Sequence, residues 1–221
     1  LASRKIATRE VPVLFEAPLA AGLVGAFVQA VSGGALYRKA SFLDGCLGQA
    51  VLAEHLDLNE DPHQIKGKGS AMFDDEGVAT RPRKVVEAGR VLGYFLSSYS
   101  ARKLGMRTTG HAGGAHNLAL TSRLTQPGDD LEAMLRRLDR GLFVTELMGQ
   151  GVNGVTGDYS RGAAGFWVER GRIVHPVHEV TIAGNLRDML RGIVAVGADA
   201  YTSGSRTTGS VLIERMKLAG A

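Results

Sequence analysis

Residues 149–174 read GQGVNGVTGDYSRGAAGFWVERGRIV. Glycine recurs every few positions, and the pieces between are short and often aromatic or β-branched. Such a run predicts several short strands, with Arg170-Gly171 as the hairpin turn between 166–168 and 173–174. Just upstream, 143–147 predicts another strand. Gly149, Gly151 and Gly154 give the bare spacing G-x-G-x-x-G. A dinucleotide site needs the N-terminus of a helix to follow, and VTGDYSRGAAG is turn and strand instead.

Working outward, 11–15 predicts a strand ended by Pro18. Over 19–31 the residues Leu23, Phe27, Val28 and Val31 fall at helical spacing, and Ser32-Gly33-Gly34 ends or bends that helix. Residues 35–70 read as irregular, with strand-like pieces around Val51 and Leu56. The stretch 74–82 is a turn-rich loop, and 84–96 a hairpin about Ala88-Gly89. A short helix is expected over 98–104, capped by Ser98 or Ser100. A Gly-rich loop at 107–116 precedes a strand at 117–121. Asp129 and Asp130 open an amphipathic helix with Leu131, Met134, Leu135 and Leu138 on one face, closed by Gly141. A short helix at 185–190 and a strand at 211–213 complete the reading. The sum is a strand-rich α+β single domain over 1–221, with a few short helices and no doubly wound parallel sheet.

With 44% hydrophobic residues, the 221-residue chain has enough apolar material for a real core. Its 30 glycines argue for turns and strand ends and against a helical bundle. The formal charge of +4 is spread along the chain. The nearest cluster is Arg81, Arg83 and Lys84, followed by Glu87, which predicts a solvated surface and no direct nucleic-acid binding. Cys46 is the single cysteine. It excludes an intrachain disulfide, sits in the apolar stretch SFLDGCLGQAV as a packing residue, and fits a reducing, cytoplasmic setting. The apolar stretch at 17–31 is broken by glycines and Gln29 and is too short to span a bilayer.

Metal chemistry has few openings. His175 and His178 lie in HPVHEV, where Pro176 excludes a helix interior and an extended chain points them apart. His111 and His116 flank Gly113-Gly114, so the loop allows both onto one ion, but no third ligand is evident. Asp158, Tyr159, Ser160 and Arg161 form a polar cluster with no nearby histidine, which reads as an Asp-capped turn with Arg161 in a surface pair.

Longer stretches are more specific. SGGALYRKASFL, LSSYSARKLG, TGHAGGAHN, VTELMGQGVN, VTGDYSRGAAGFWVERG, VTIAGNLRDM and GSVLIERMKLAG, in that order, resemble the C-terminal domain of the PmbA type within the TldD/PmbA metallopeptidase family. The resemblance runs from Pro12 to Ala219. It implies that the N-terminal domain family members carry before this point is absent from the chain. It also implies a partnership. A TldD-type subunit carries H-E-x-x-x-H on a helix and a cysteine near its C-terminus, which hold a catalytic metal, zinc. A PmbA-type subunit pairs with it. The pair degrades unfolded peptides and helps mature microcin-type peptides, and the older description "modulator of DNA gyrase" comes from genetic links to gyrase poisons.

In the TldD type the metal helix precedes a G-D-F-N-R-R-like stretch, which corresponds here to Gly34 through Lys39. Counting back, the two histidine positions fall on Gly25 and Ala30, and the glutamate position on Ala26. The cysteine position falls near Thr207 or Thr208. Neither Gly nor Ala can ligate an ion or move a proton, and a neutral hydroxyl replaces a thiolate poorly. The resemblance therefore implies a non-catalytic subunit with no metal of its own, partnered by a TldD-like chain. A crystal of this chain is expected to hold a two-fold dimer that mimics the pair. Two other readings stay open: a metal-dependent peptidase in its own right, and a gyrase- or nucleic-acid-associated binding module.

The glycine-punctuated run suggests how such a subunit would serve. An open strand edge between Gly149 and Gly165 would pair with the backbone of an extended peptide, largely regardless of its sequence. Asn153, Gly154, Gly157, Asp158 and Arg161 are the candidate peptide contacts. Equally, those glycines serve tight turns within a buried sheet.

Overall fold

The computed structural model describes residues 8–220, so the outermost residues of the expected 1–221 domain lie outside it. The chain opens with strand β1 (Arg9–Phe15), helix α1 (Ala17–Ala30) and the short helix α2 (Gly33–Tyr37). Strands β2 (Leu56–Asp61), β3 (Arg83–Glu87) and β4 (Arg90–Val91) follow, then helix α3 (Ser98–Lys103), strand β5 (Asn117–Ser122) and helix α4 (Leu131–Leu138). Strands β6 (Gly141–Met148), β7 (Asp158–Glu169) and β8 (Arg172–Asn185) lead to helix α5 (Leu186–Arg191). Strands β9 (Ile193–Val196), β10 (Tyr201–Ser203), β11 (Arg206–Thr208) and β12 (Val211–Gly220) end the described chain.

Two six-stranded sheets result. The first runs β1-β6-β7-β8-β12-β9, and an added β1–β12 pairing closes it into a barrel-like ring. The second runs β10-β11-β5-β2-β3-β4. The parallel ladders among the described strands are β1 with β6 and β11 with β5, so the expected α+β architecture without a doubly wound sheet holds.

Residue alternation sorts the first sheet into two faces. Val13, Phe15, Leu142 and Val144 enter the main core, whereas Leu14, Phe143 and Val168 pack under Met134 and Leu138 of α4. Helix α1 is apolar on nearly every side, which suits a helix enclosed by other elements. Its Leu23, Val24 and Phe27 share the main core with Leu58 and Leu120 of the second sheet. Phe27 is 1% exposed, and burying one such side chain contributes about 1.5–3 kcal/mol.

Several expectations are corrected. The run after Gly157 forms no set of short strands: β7 and β8 are 12 and 14 residues long, and bulges absorb their irregular register. Glycine is tolerated there because the backbones approach closely. A side chain at Gly165 would overlap the carbonyl oxygen of Phe143. Gly33 and Gly34 do not only break α1; they begin α2. Val51 is buried but not in a strand. Ser97, not Ser98 or Ser100, caps α3, and Ser100 completes the capping box. Asp139 at φ 55° ends α4, while Gly141 already belongs to β6. Both turns expected at Ala88-Gly89 and Arg170-Gly171 form, with positive φ at all four residues, as tight two-residue hairpins require.

Candidate functional site

The segments expected to replace the metal site converge in space. Gly25, Ala26 and Ala30 lie on α1, and β11, which carries Thr207 and Thr208, packs against that helix. A Cβ built on Gly25 would stand 2.6 Å from Nη1 and 2.9 Å from Cζ of Arg206. The Arg206 guanidinium therefore lies flat on the bare stretch of helix where the first histidine position falls. No residue at 25, 26 or 30 offers a donor atom. Thr208 is 1% exposed, and its hydroxyl donates to the carbonyl of Gly209. A divalent cation does not fit this place: the ligands are absent and a fixed positive charge already stands beside it.

Beside α1 opens a cleft of about 530 Å³, walled by α2, α3 and the 111–115 loop. Gln29, Tyr37, His111, Ser205 and Arg206 contribute polar groups to its lining. Adjoining it along α1, with Gln29 in the lining of both, a smaller cavity of about 300 Å³ is lined by Ala26, Ala30, Phe42, Val152 and Gly154.

Under the first cleft lies a buried charge network that sequence reasoning only half anticipated. Glu60, His111 and His116 come together with ligand atoms within 4.8 Å of one another. Glu60 is the third group that the sequence did not reveal. It sits in LDLNED of β2, where nothing marks it as buried. Only the fold brings Arg83 of β3 to it, with Nε donating to Oε2 at 2.7 Å. His111 Nε2 lies 2.9 Å from the same oxygen, and the backbone N–H of His116 donates to Oε1 at 2.8 Å. Burial pushes the Glu60 carboxyl up, but the His111 hydrogen bond and the Arg83 charge win and hold it at about 2. Burial is the main cause that keeps His111 below its ordinary value, and Arg83 adds to it.

Each ring nitrogen of the two histidines has a hydrogen-bond partner. Thr109 Oγ1 lies 2.8 Å from His111 Nδ1, so both ring nitrogens are engaged. The His116 ring contacts the carbonyls of Gly69 and Gly110, both at 3.1 Å. With Arg83 supplying the positive charge that Glu60 needs, the group forms a self-compensated buried ion pair. His175 is half-buried on β8 and His178 is exposed, apart from this group.

The residues expected to touch peptide occupy a turn and the start of β7. Asn153 Oδ1 accepts from the backbone N–H groups of Val155 and Thr156. Asp158 accepts from Thr156 Oγ1 and from Asn185 Nδ2. Arg161 donates to the carbonyl of Gly149, not to a surface acid. Gly157 takes φ +83°, and a side chain there would press on Phe42 and Asn185 at 3.1 Å. Gly154 faces open space. Strand β7 pairs with β8 along its length and with β6 from Gly162 on, while on that second side its first residues are met by the 151–153 segment, through the Val152–Tyr159 bridge and the Asn153 N–H donating to the Asp158 carbonyl.

Comparison with known proteins matches residues 8–220 to the model of the PmbA/TldA metallopeptidase C-terminal domain. The chain belongs to the PmbA/TldA metallopeptidase family. It is 51% identical over 220 residues to Metalloprotease PmbA of Escherichia coli O157:H7, covering 100% of this chain and 48% of that protein. A protein of Bacteroides thetaiotaomicron, described as a modulator of DNA gyrase, superposes with TM-score 0.92 at 29% identity, over 100% of this chain and 49% of that one. TldE of Thermococcus kodakarensis superposes with TM-score 0.83 at 26% identity, over 99% and 52%. The chain thus spans about half the length of the curated family members it matches. Among the described residues no helix is long and apolar enough to cross a membrane.

Proposed function

We propose that this domain belongs to the non-catalytic subunit of a TldD/PmbA-type peptidase complex, which pairs with a TldD-like chain and helps it act on unfolded peptides, including microcin-type precursors. The observation that carries the reading is Arg206 lying on Gly25. The helix is packed in the core while each position that would ligate or activate is without a ligating group, and the Arg206 cation fills the space over Gly25. Removing ligands and supplying a permanent charge at the same point leaves a scaffold, not a metal site.

Exposed apolar side chains support pairing. Ile65, Met72 and Phe73 are 88%, 68% and 64% exposed on one connecting segment between β2 and β3. Apolar groups concentrated in this way suit a partner surface. Peptide contact is assigned to the 149–157 turn, with Gly154 leaving open space where a side chain would stand and Asn153, Asp158, Gly157 and Arg161 holding its shape. Coexpression of the full-length protein with a TldD-like subunit tests the proposal. Copurification, with cleavage of a denatured peptide by the pair and none by this subunit alone, is the expected result. Steady cleavage by this subunit alone would overturn it.

A further inference from the structure

The 530 Å³ cleft lies within the range of about 300–1,000 Å³ typical of small-ligand sites. Its lining holds one formal charge, the Arg206 guanidinium, and no Asp, Glu or Lys. Among the described residues no hydrogen bond or ion pair engages that guanidinium, although Arg206 is partly buried. Gln29, one helical turn after Gly25, lines the same cleft, and its side-chain amide is likewise uncommitted. The other ionisable neighbour, His111, is turned toward Glu60 and Thr109 and contributes no charge to the cleft.

We propose that this cleft binds a carboxylate, with Arg206 as its anchor and Gln29 beside it. A guanidinium presents a planar fork of donors that matches the two oxygens of a carboxylate. A single cation with neutral amide and hydroxyl neighbours balances a monoanion. A phosphate dianion would leave uncompensated charge in a partly desolvated place. Gly25 makes the site possible, since the absent side chain lets the guanidinium rest against the helix at the border of the cleft that Arg206 lines. Tyr37 and Tyr99, in edge contact at 5.7 Å between ring centroids, give the cleft an apolar wall for whatever carries the carboxylate. All the lining residues belong to this chain, so the site is tested without a catalytic subunit.

Titration calorimetry with trialanine, its C-terminal amide, acetate and inorganic phosphate provides the test. Trialanine is expected to bind about tenfold or more tighter than its amide, and acetate to compete with it. Binding of trialanine well above acetate marks a peptide C-terminus as the source of the carboxylate; equal binding marks a small free acid. Arg206→Gln, checked for an unchanged melting temperature, is expected to abolish the preference for acid over amide. Gly25→Leu, which displaces the guanidinium without removing its charge, is expected to do the same. Acid and amide binding within twofold on the unaltered chain, no binding of either, phosphate binding tighter than acetate, or wild-type affinity in Arg206→Gln would each overturn the proposal.

Discussion

The guanidinium of Arg206 rests against Gly25, with Nη1 2.6 Å from where a Cβ would stand. One residue has no side chain and the other fills the space with a charge.

This relationship predicts an unusual glycine. Gly25→Ala should stabilise the protein by up to about 1 kcal/mol, because alanine is the better helix former and the obstructing atoms are the far end of a flexible side chain. Gly165→Ala should destabilise it, because the obstruction there is the Phe143 carbonyl in a central ladder. Thermal melts of the two variants should shift in opposite directions. A loss of stability in Gly25→Ala would mean that Arg206 is rigidly held.

Much of the fold is legible in the sequence because local patterns carry it. The spacing of Leu23 and Phe27 announces α1, Asp130 announces α4, and Arg170-Gly171 announces its turn. Glycine misleads in two directions. In β7 it permits close strand packing, and at Gly33-Gly34 it starts a helix, although in both places it reads as an interruption. The site is less legible. The absence of ligating side chains at Gly25, Ala26 and Ala30 is visible in the sequence, but Arg206 over Gly25 and Arg83 beside Glu60 are contacts between distant segments. No local periodicity encodes them.

The buried network predicts a strong dependence on Glu60. Glu60→Ala leaves Arg83 and the His116 N–H without their acceptor and should cost about 3 kcal/mol or more in chemical denaturation. Glu60→Leu combined with Arg83→Leu should cost less than the sum of the two single changes, since it removes both charges. Additive losses would show that the pair is not coupled.

The same network fixes the sign of the pH response. Burial holds His111 below its ordinary value of 6.5, so the unfolded chain takes up protons first and stability falls as pH drops below about 6.5. Glu60 is held at about 2 against an ordinary 4.5, so a second loss sets in below about pH 4.5. Melting temperatures from pH 8 to pH 4 should decline in that order, and His111→Gln should flatten the upper part of the decline. A melting temperature that rises between pH 7 and pH 5 would contradict this assignment.

Cys46 is 6% exposed, and burial pushes its thiol up to about 11. A thiol reagent at pH 7.5 should modify it far more slowly than a free thiol, and unfolding in denaturant should restore the ordinary rate. Immediate modification of the native protein would show that the segment around Cys46 opens readily.

Under the proposed function this subunit supplies no catalytic group. The direct measurement is cleavage of a denatured peptide by the assembled pair when only the TldD-type subunit's H-E-x-x-x-H glutamate is replaced by glutamine. Cleavage is expected to disappear although the pair still assembles. Cleavage at the rate of the intact pair would contradict the proposed function, since the chemistry would then come from the chain that carries Arg206 over Gly25.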